Sequence, residues 1–195
     1  TWNVKAAKDE ILAAVRDSSY LVAGTALDAL KNMKEDTAYA LAKLVMRDDP
    51  KSDLQIVAWE VIAAKGRVDD HVIFAKDAAY VYGMAKIGLT NAMNIYLRNV
   101  GDTAVFNNTL QLYLKLMRDE AIAQYRPSIG SFFIETSNYY KRQVQDARTN
   151  ADKKTAEAKF ELLRLASERF LKEERNEENR KLFRPYLKKI FGNQY

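Results

Sequence analysis

His71 is the single histidine of the 195-residue chain, and cysteine is absent. Those two facts remove most metal chemistry. A helical zinc site of the H-E-x-x-H kind needs two histidines on one face. Without cysteine there is no thiolate ligand, no disulfide and no Cys nucleophile. A Ser–His–Asp triad is formally possible, but no G-x-S-x-G is present. His71 follows Asp69-Asp70 and reads as a solvated residue in a first helical turn.

Gly83-Met84-Ala85-Lys86-Ile87-Gly88 copies the glycine spacing of a phosphate loop, but Leu89 stands where that loop needs Lys. No Ser is followed three residues later by Lys, which removes the penicillin-binding type of serine site. The doublets Asp48-Asp49, Asp69-Asp70, and Glu173-Glu174 with Glu177-Glu178, suggest a cation site at first sight. Adjacent helical side chains diverge by about 100°, so doublets do not chelate. They read as caps, turns and solvated faces. No residue is therefore assigned a catalytic, cofactor-binding or metal role, and no cofactor is expected in this chain. Asn107-Asn108-Thr109 matches a glycosylation sequon but falls inside an expected helix.

Eleven Tyr, eight Phe and two Trp are many for this length. Most serve helix packing. Tyr80 and Tyr82 flank Val81, and Tyr139-Tyr140 are adjacent, so some of these rings must point outward. An aromatic groove for a peptide or protein partner is the functional alternative.

The surrounding elements are helical. Seven Gly and three Pro are too few for the turns of a sandwich or barrel. Apolar residues recur at helical spacing. Ile11, Leu12 and Val15 end a first helix near Arg16. Asp17-Ser18-Ser19 offers N-cap oxygens to the next, which carries Val22, Ala26, Leu27 and Leu30. After a break at 32–36 come Tyr39, Leu41, Leu44 and Val45; after Asp48-Asp49-Pro50 come Leu54, Val57, Ala58, Val61 and Ile62. A shift of 32 residues overlays the two sets: Leu12 on Leu44, Asp17 on Asp49, Val22 on Leu54, Ala26 on Ala58, Leu27 on Trp59, Leu30 on Ile62. Repeated helix pairs predict an α-solenoid, whose units bury their inner faces only by stacking. A looser third unit is expected over 69–99, with helices around Val72–Val81 and Met84–Leu97, then helices over 103–118 and from Arg126-Pro127 onward.

The last part differs. From Lys141 on, 15 Lys/Arg face 9 Asp/Glu, against 16 and 17 before it. A long charged helix over 151–175 carries Phe160, Leu163, Ala166 and Phe170 as a narrow stripe, and 177–191 follows with a break or kink near Pro185. Cations interleave with Glu, as in Glu157–Glu161–Arg164 and Glu168–Lys172. That pattern makes a solvated capping face rather than a phosphate-binding stripe. Specific nucleic-acid binding is not expected. No apolar run reaches the ~18–20 residues of a membrane span. The expected organisation is one all-α domain: HEAT-like repeats over 1–140, in a right-handed superhelix of antiparallel pairs, and a helical cap over 141–195. Thr1-Trp2-Asn3-Val4-Lys5 reads as neither a signal peptide nor a natural start, so the chain is expected to be a processed product or part of something longer.

The stretch from Asp17 to Leu30 resembles the second helix of a HEAT repeat, and Ala38–Leu44, Asp53–Ala63, Tyr96-Leu97 and Phe106–Leu116 follow in an order similar to the C-terminal helical domain of bacterial aminopeptidase N-like zinc peptidases, the gluzincins. The resemblance implies a non-catalytic domain that packs over an upstream catalytic domain of the same polypeptide and restricts peptide entry. It places the zinc, the H-E-x-x-H helix and the G-x-M-E-N motif in that upstream domain, so no family catalytic residue maps onto this sequence. It slightly favours the periplasm over the cytoplasm. The alternative is a stand-alone HEAT-like scaffold that takes a protein partner on its concave face.

Overall fold

The structure, a computed structural model, describes residues 4–33, 36–83, 85–125 and 128–192. Among them are ten α-helices and no strand. They are α1 (Val4–Ala14), α2 (Tyr20–Asn32), α3 (Asp36–Val45), α4 (Ser52–Lys65), α5 (His71–Tyr80), α6 (Ala85–Asn99), α7 (Thr103–Met117), α8 (Ser128–Asp146), α9 (Asn150–Glu173) and α10 (Glu177–Phe191). The expected helix opening at Arg126-Pro127, and Met84 at the expected start of α6, lie outside the described residues.

Local chemistry explains the ends. Asp102 caps α7 by accepting the Val105 N–H at 2.8 Å. Thr149 caps α9 by accepting the Asp152 N–H at 3.1 Å, and its hydroxyl donates to the Asp152 carboxylate at 2.7 Å. These bonds satisfy N–H groups that a first turn leaves free. The Asp17-Ser18-Ser19 cap works differently from expectation. Ser19 stands at the N-cap without a side-chain bond, and its own N–H donates to Asp17 Oδ1 at 2.7 Å. Helix α4 ends on Gly66 at φ 59°. A Cβ there would sit 2.4 Å from the Asn99 carbonyl carbon, so glycine serves both the left-handed turn and the close approach of α6.

The helices form pairs that lie against one another. α2 packs on α4, α4 on α6, α6 on α8 and α8 on α10; on the other side α5 packs on α7 and α7 on α9. Trp59, Tyr96, Phe74 and Phe106 are fully buried between these layers. Phe74 meets Tyr96 at 4.9 Å, and Phe106 meets Tyr140 edge-on at 5.5 Å. Ala26 and Ala58 are both buried in the equivalent helices α2 and α4.

Two expected core residues are not core. Val22 is 43% exposed and Leu44 42% exposed. Helical periodicity marks an apolar face but does not say whether a neighbour covers it. The third unit also slips. Gly24 of α2 abuts the Leu54 backbone of α4, whereas Ile56 of α4 abuts Gly88 of α6. The face each helix offers to the next advances by 32 residues, from 24 to 56, and the face that receives it by 34, from 54 to 88. The division at 140/141 falls inside α8, where the Lys141 ammonium donates to the Ile190 carbonyl of α10 at 2.8 Å. Helix α10 stays helical through Pro185, which is exposed, so water can serve the carbonyl that loses its partner there.

Candidate functional site

Of the four tyrosines among which some were expected to point outward, Tyr80 and Tyr82 do and Tyr140 is buried; the first two line a cleft. Helix α5 stops at Tyr80 and Val81 is extended (φ −66°, ψ 140°). Extended backbone sends successive side chains to opposite sides. Both rings stay in solvent, Tyr80 at 76% and Tyr82 at 84% exposure. Opposite them, the turn into α4 places Asp49 in the left-handed region (φ 49°) and pairs its carboxylate with Lys51 at 2.6 Å. Between the two segments lies a cleft of about 760 Å³ whose lining includes Lys51, Ile56, Asp77, Tyr80 and Tyr82.

Asp77 connects this cleft to the core. Its Oδ2 accepts the indole N–H of fully buried Trp59 at 2.6 Å. Burial pushes the Asp77 carboxyl above its ordinary range, opposed by the Trp59 hydrogen bond and by Lys76. Asp49, the other carboxylate of the cleft, is neutralised by Lys51. The cleft therefore offers aromatic faces, an apolar floor, one carboxylate paired with Lys51 and a second, Asp77, held by a neutral donor.

His71 is not simply solvated. It is half-buried, and its Nδ1 lies 2.9 Å from the hydroxyl of fully buried Thr109. That hydroxyl already donates its proton to the Val105 carbonyl at 2.9 Å. The Thr109 hydroxyl thus bridges the His71 ring and the Val105 carbonyl. Burial lowers the His71 pKa. The same contact buries the sequon threonine inside α7.

Asp70 corrects a second expectation. Far from lying on a solvated face, it is fully buried. Both its oxygens accept the Tyr39 hydroxyl at 2.9 Å, and Oδ1 also accepts the Lys43 ammonium at 2.7 Å. The Arg67 guanidinium lies 4.3 Å from the centre of the Tyr39 ring. The group ties α3 to the corner between α4 and α5. Sequence could not separate Asp70 from Asp69, because a doublet looks the same whether one member turns inward or not. The other doublets do behave as surface features: Asp48 and Asp49 are exposed, and Glu173 pairs with Arg118 at 2.7 Å. Among the described residues no three His, Asp or Glu are grouped to hold a metal ion.

Lys159 is another buried charge that sequence missed. Its ammonium donates to the Val100 carbonyl and lies 5.8 Å from the Phe106 ring centre and 5.6 Å from that of Tyr140. Burial lowers its pKa. It joins α9 to the corner between α6 and α7. Nearby on α9 the charges interleave as expected, with Arg164 bridging Glu161 and Glu168. The outer face of α10 departs from that mixing: Lys181, Arg184 and Lys188 are all exposed and share it at helical spacing. No described helix is long and apolar enough to cross a membrane. No family model, curated protein or solved structure matches the chain.

Proposed function

We propose that the chain is a non-catalytic, HEAT-like helical-repeat domain that packs against the catalytic domain of a zinc aminopeptidase and restricts peptide access to it. The observation that supports this reading is the continuous run of contacts from α2 through α4 and α6 to α8. Helix pairs laid side by side present long rigid faces, which suit packing on another protein. Buried polar groups such as Asp70 and Lys159 are spent on fixing helices to one another. The sequence resemblance supplies the partner. The zinc and the general base belong to that partner, and none of this chain's residues takes part in the bond-breaking step.

The test is an aminoacyl-p-nitroanilide assay, run on this chain and on the full polypeptide that its gene encodes. The expected result is chelator-sensitive turnover by the full polypeptide and none by the chain. Turnover by the chain alone, or a gene without an H-E-x-x-H segment, overturns the proposal.

The exposed Tyr80 and Tyr82 favour a second reading, a stand-alone scaffold with a peptide partner in the cleft. Replacing both by Ala separates the two. Partner binding is lost on the scaffold reading, and peptidase activity is retained on the first.

A further inference from the structure

Among the described residues, one apolar face of α2 is left uncovered. Helix α4 receives α2 on a face that includes Leu54 and Val61, which are 5% and 3% exposed. Across this joint Gly24 of α2 lets the backbones approach, its missing Cβ lying 3.2 Å from the Leu54 nitrogen. Seven residues on, Lys31 reaches Glu60 of α4 at 2.8 Å. The 32-residue repeat carries this receiving face from α4 onto α2: Leu54 becomes Val22, Val61 becomes Ala29, and Glu60 becomes Asp28. On α2 none of the described helices lies over it as α2 lies over α4. Val22 is 43% exposed and its neighbour Leu21 65% exposed. A groove of about 510 Å³, lined by Leu21, Val22, Thr25 and Ala29 with Ile11 of α1, occupies the place that α2 fills on α4.

We propose that this open face of α2 docks a helix of a partner protein, one that carries a small residue and, seven positions on, a lysine. The small residue would allow the approach that Gly24 allows, and the lysine would meet Asp28 as Lys31 meets Glu60. Asp28 now pairs with Lys31 of its own helix at 2.6 Å, an exchangeable surface contact. The α2 helix of a second copy cannot be the occupant, because its Gly24 is buried against α4. The inference rests on the reading of the chain as a repeat domain that packs on another protein, and it does not depend on that protein being a peptidase.

The probe is a helix-stapled peptide with the sequence of residues 20–33, which carries Gly24 and Lys31 in the required spacing. Hydrogen exchange of the full chain is followed with and without it. The expected result is saturable slowing of exchange over residues 20–29. A Leu21→Glu, Val22→Glu double variant should abolish it while leaving the melting temperature of the free chain unchanged, because both side chains are exposed. Lys31→Glu in the peptide should weaken binding about fivefold, the upper range for a half-exposed ion pair. No slowing at saturating peptide, or slowing elsewhere on the chain, overturns the proposal. So does concentration-dependent protection of α2 without peptide together with a dimer in sedimentation, which would make a second copy the occupant. The peptidase assay can fail while this binding succeeds, and the reverse, so the two failures are distinguishable.

Discussion

Asp70 and Asp77 are seven residues apart and use burial differently. Asp70 is surrounded by donors from Tyr39 and Lys43, so its charge is met inside the protein. Asp77 has one strong donor, Trp59, and a pKa raised by burial. A carboxyl whose folded pKa exceeds its unfolded value favours folding at low pH. That contribution is lost as pH rises through the folded pKa. At neutral pH the half-buried Asp77 carboxylate is thus a burden, though solvent from the cleft reduces it. Asp77→Asn keeps an oxygen for the Trp59 N–H and removes the titration. The variant should melt at or above the parent at pH 7, and the difference should shrink as pH falls toward 4. Thermal melts across that range check it, and a variant clearly less stable at pH 7 would mean that the charge itself stabilises the fold. None of this was legible beforehand. Asp77 lies in an ordinary amphipathic run, and only the partner 18 residues earlier makes it special. That some of Tyr80, Tyr82, Tyr139 and Tyr140 face outward was legible, but not which: Tyr80 and Tyr82 do, and Tyr140 is buried.

Helices are the scale at which sequence spoke most clearly. The ends at 14 and 117 lie within two residues of their expected places, near 16 and 118. What periodicity left out was the slip between the second and third units, since it depends on how closely Ile56 and Gly88 approach. Gly66 shows how much one such approach weighs. Gly66→Ala adds left-handed strain of roughly 1–2 kcal/mol. Its Cβ would also strike the end of α6, and overpacking costs about 1–3 kcal/mol. A loss of about 2–5 kcal/mol in denaturant unfolding is expected. Pro185 offers the opposite case. It interrupts the hydrogen bonding of α10, yet it is exposed and its replacement disturbs no packing. Pro185→Ala should stabilise the chain by about 1–3 kcal/mol, part of the ~3 kcal/mol that an interior proline costs a helix. A fall in stability would mean that α10 needs the bend.

At the scale of the whole molecule, α4 lies mainly against α2, α3 and α6, and α8 mainly against α9 and α10. The packed helix pairs were legible, because one apolar set recurs after 32 residues. Which apolar face is covered was not, since Val22 and Leu54 look alike as letters, yet Val22 is exposed and Leu54 buried. Such an array divides its stability between units and the contacts between them, so damage at an end and damage in the middle should differ in reach. Leu27 and Leu97 are both fully buried, one in α2 early in the chain and one in α6 at its centre. Replacing either with Ala removes the same atoms, at about 2–5 kcal/mol for a leucine in a packed core. Leu97→Ala should lower protection against hydrogen exchange from α4 to α9 together, because α6 touches α4, α5, α7 and α8. Leu27→Ala should release α1 and α2 while α6 to α9 keep the protection of the parent. Equal loss across the molecule in both variants would show a single cooperative unit and would count against the repeat reading itself.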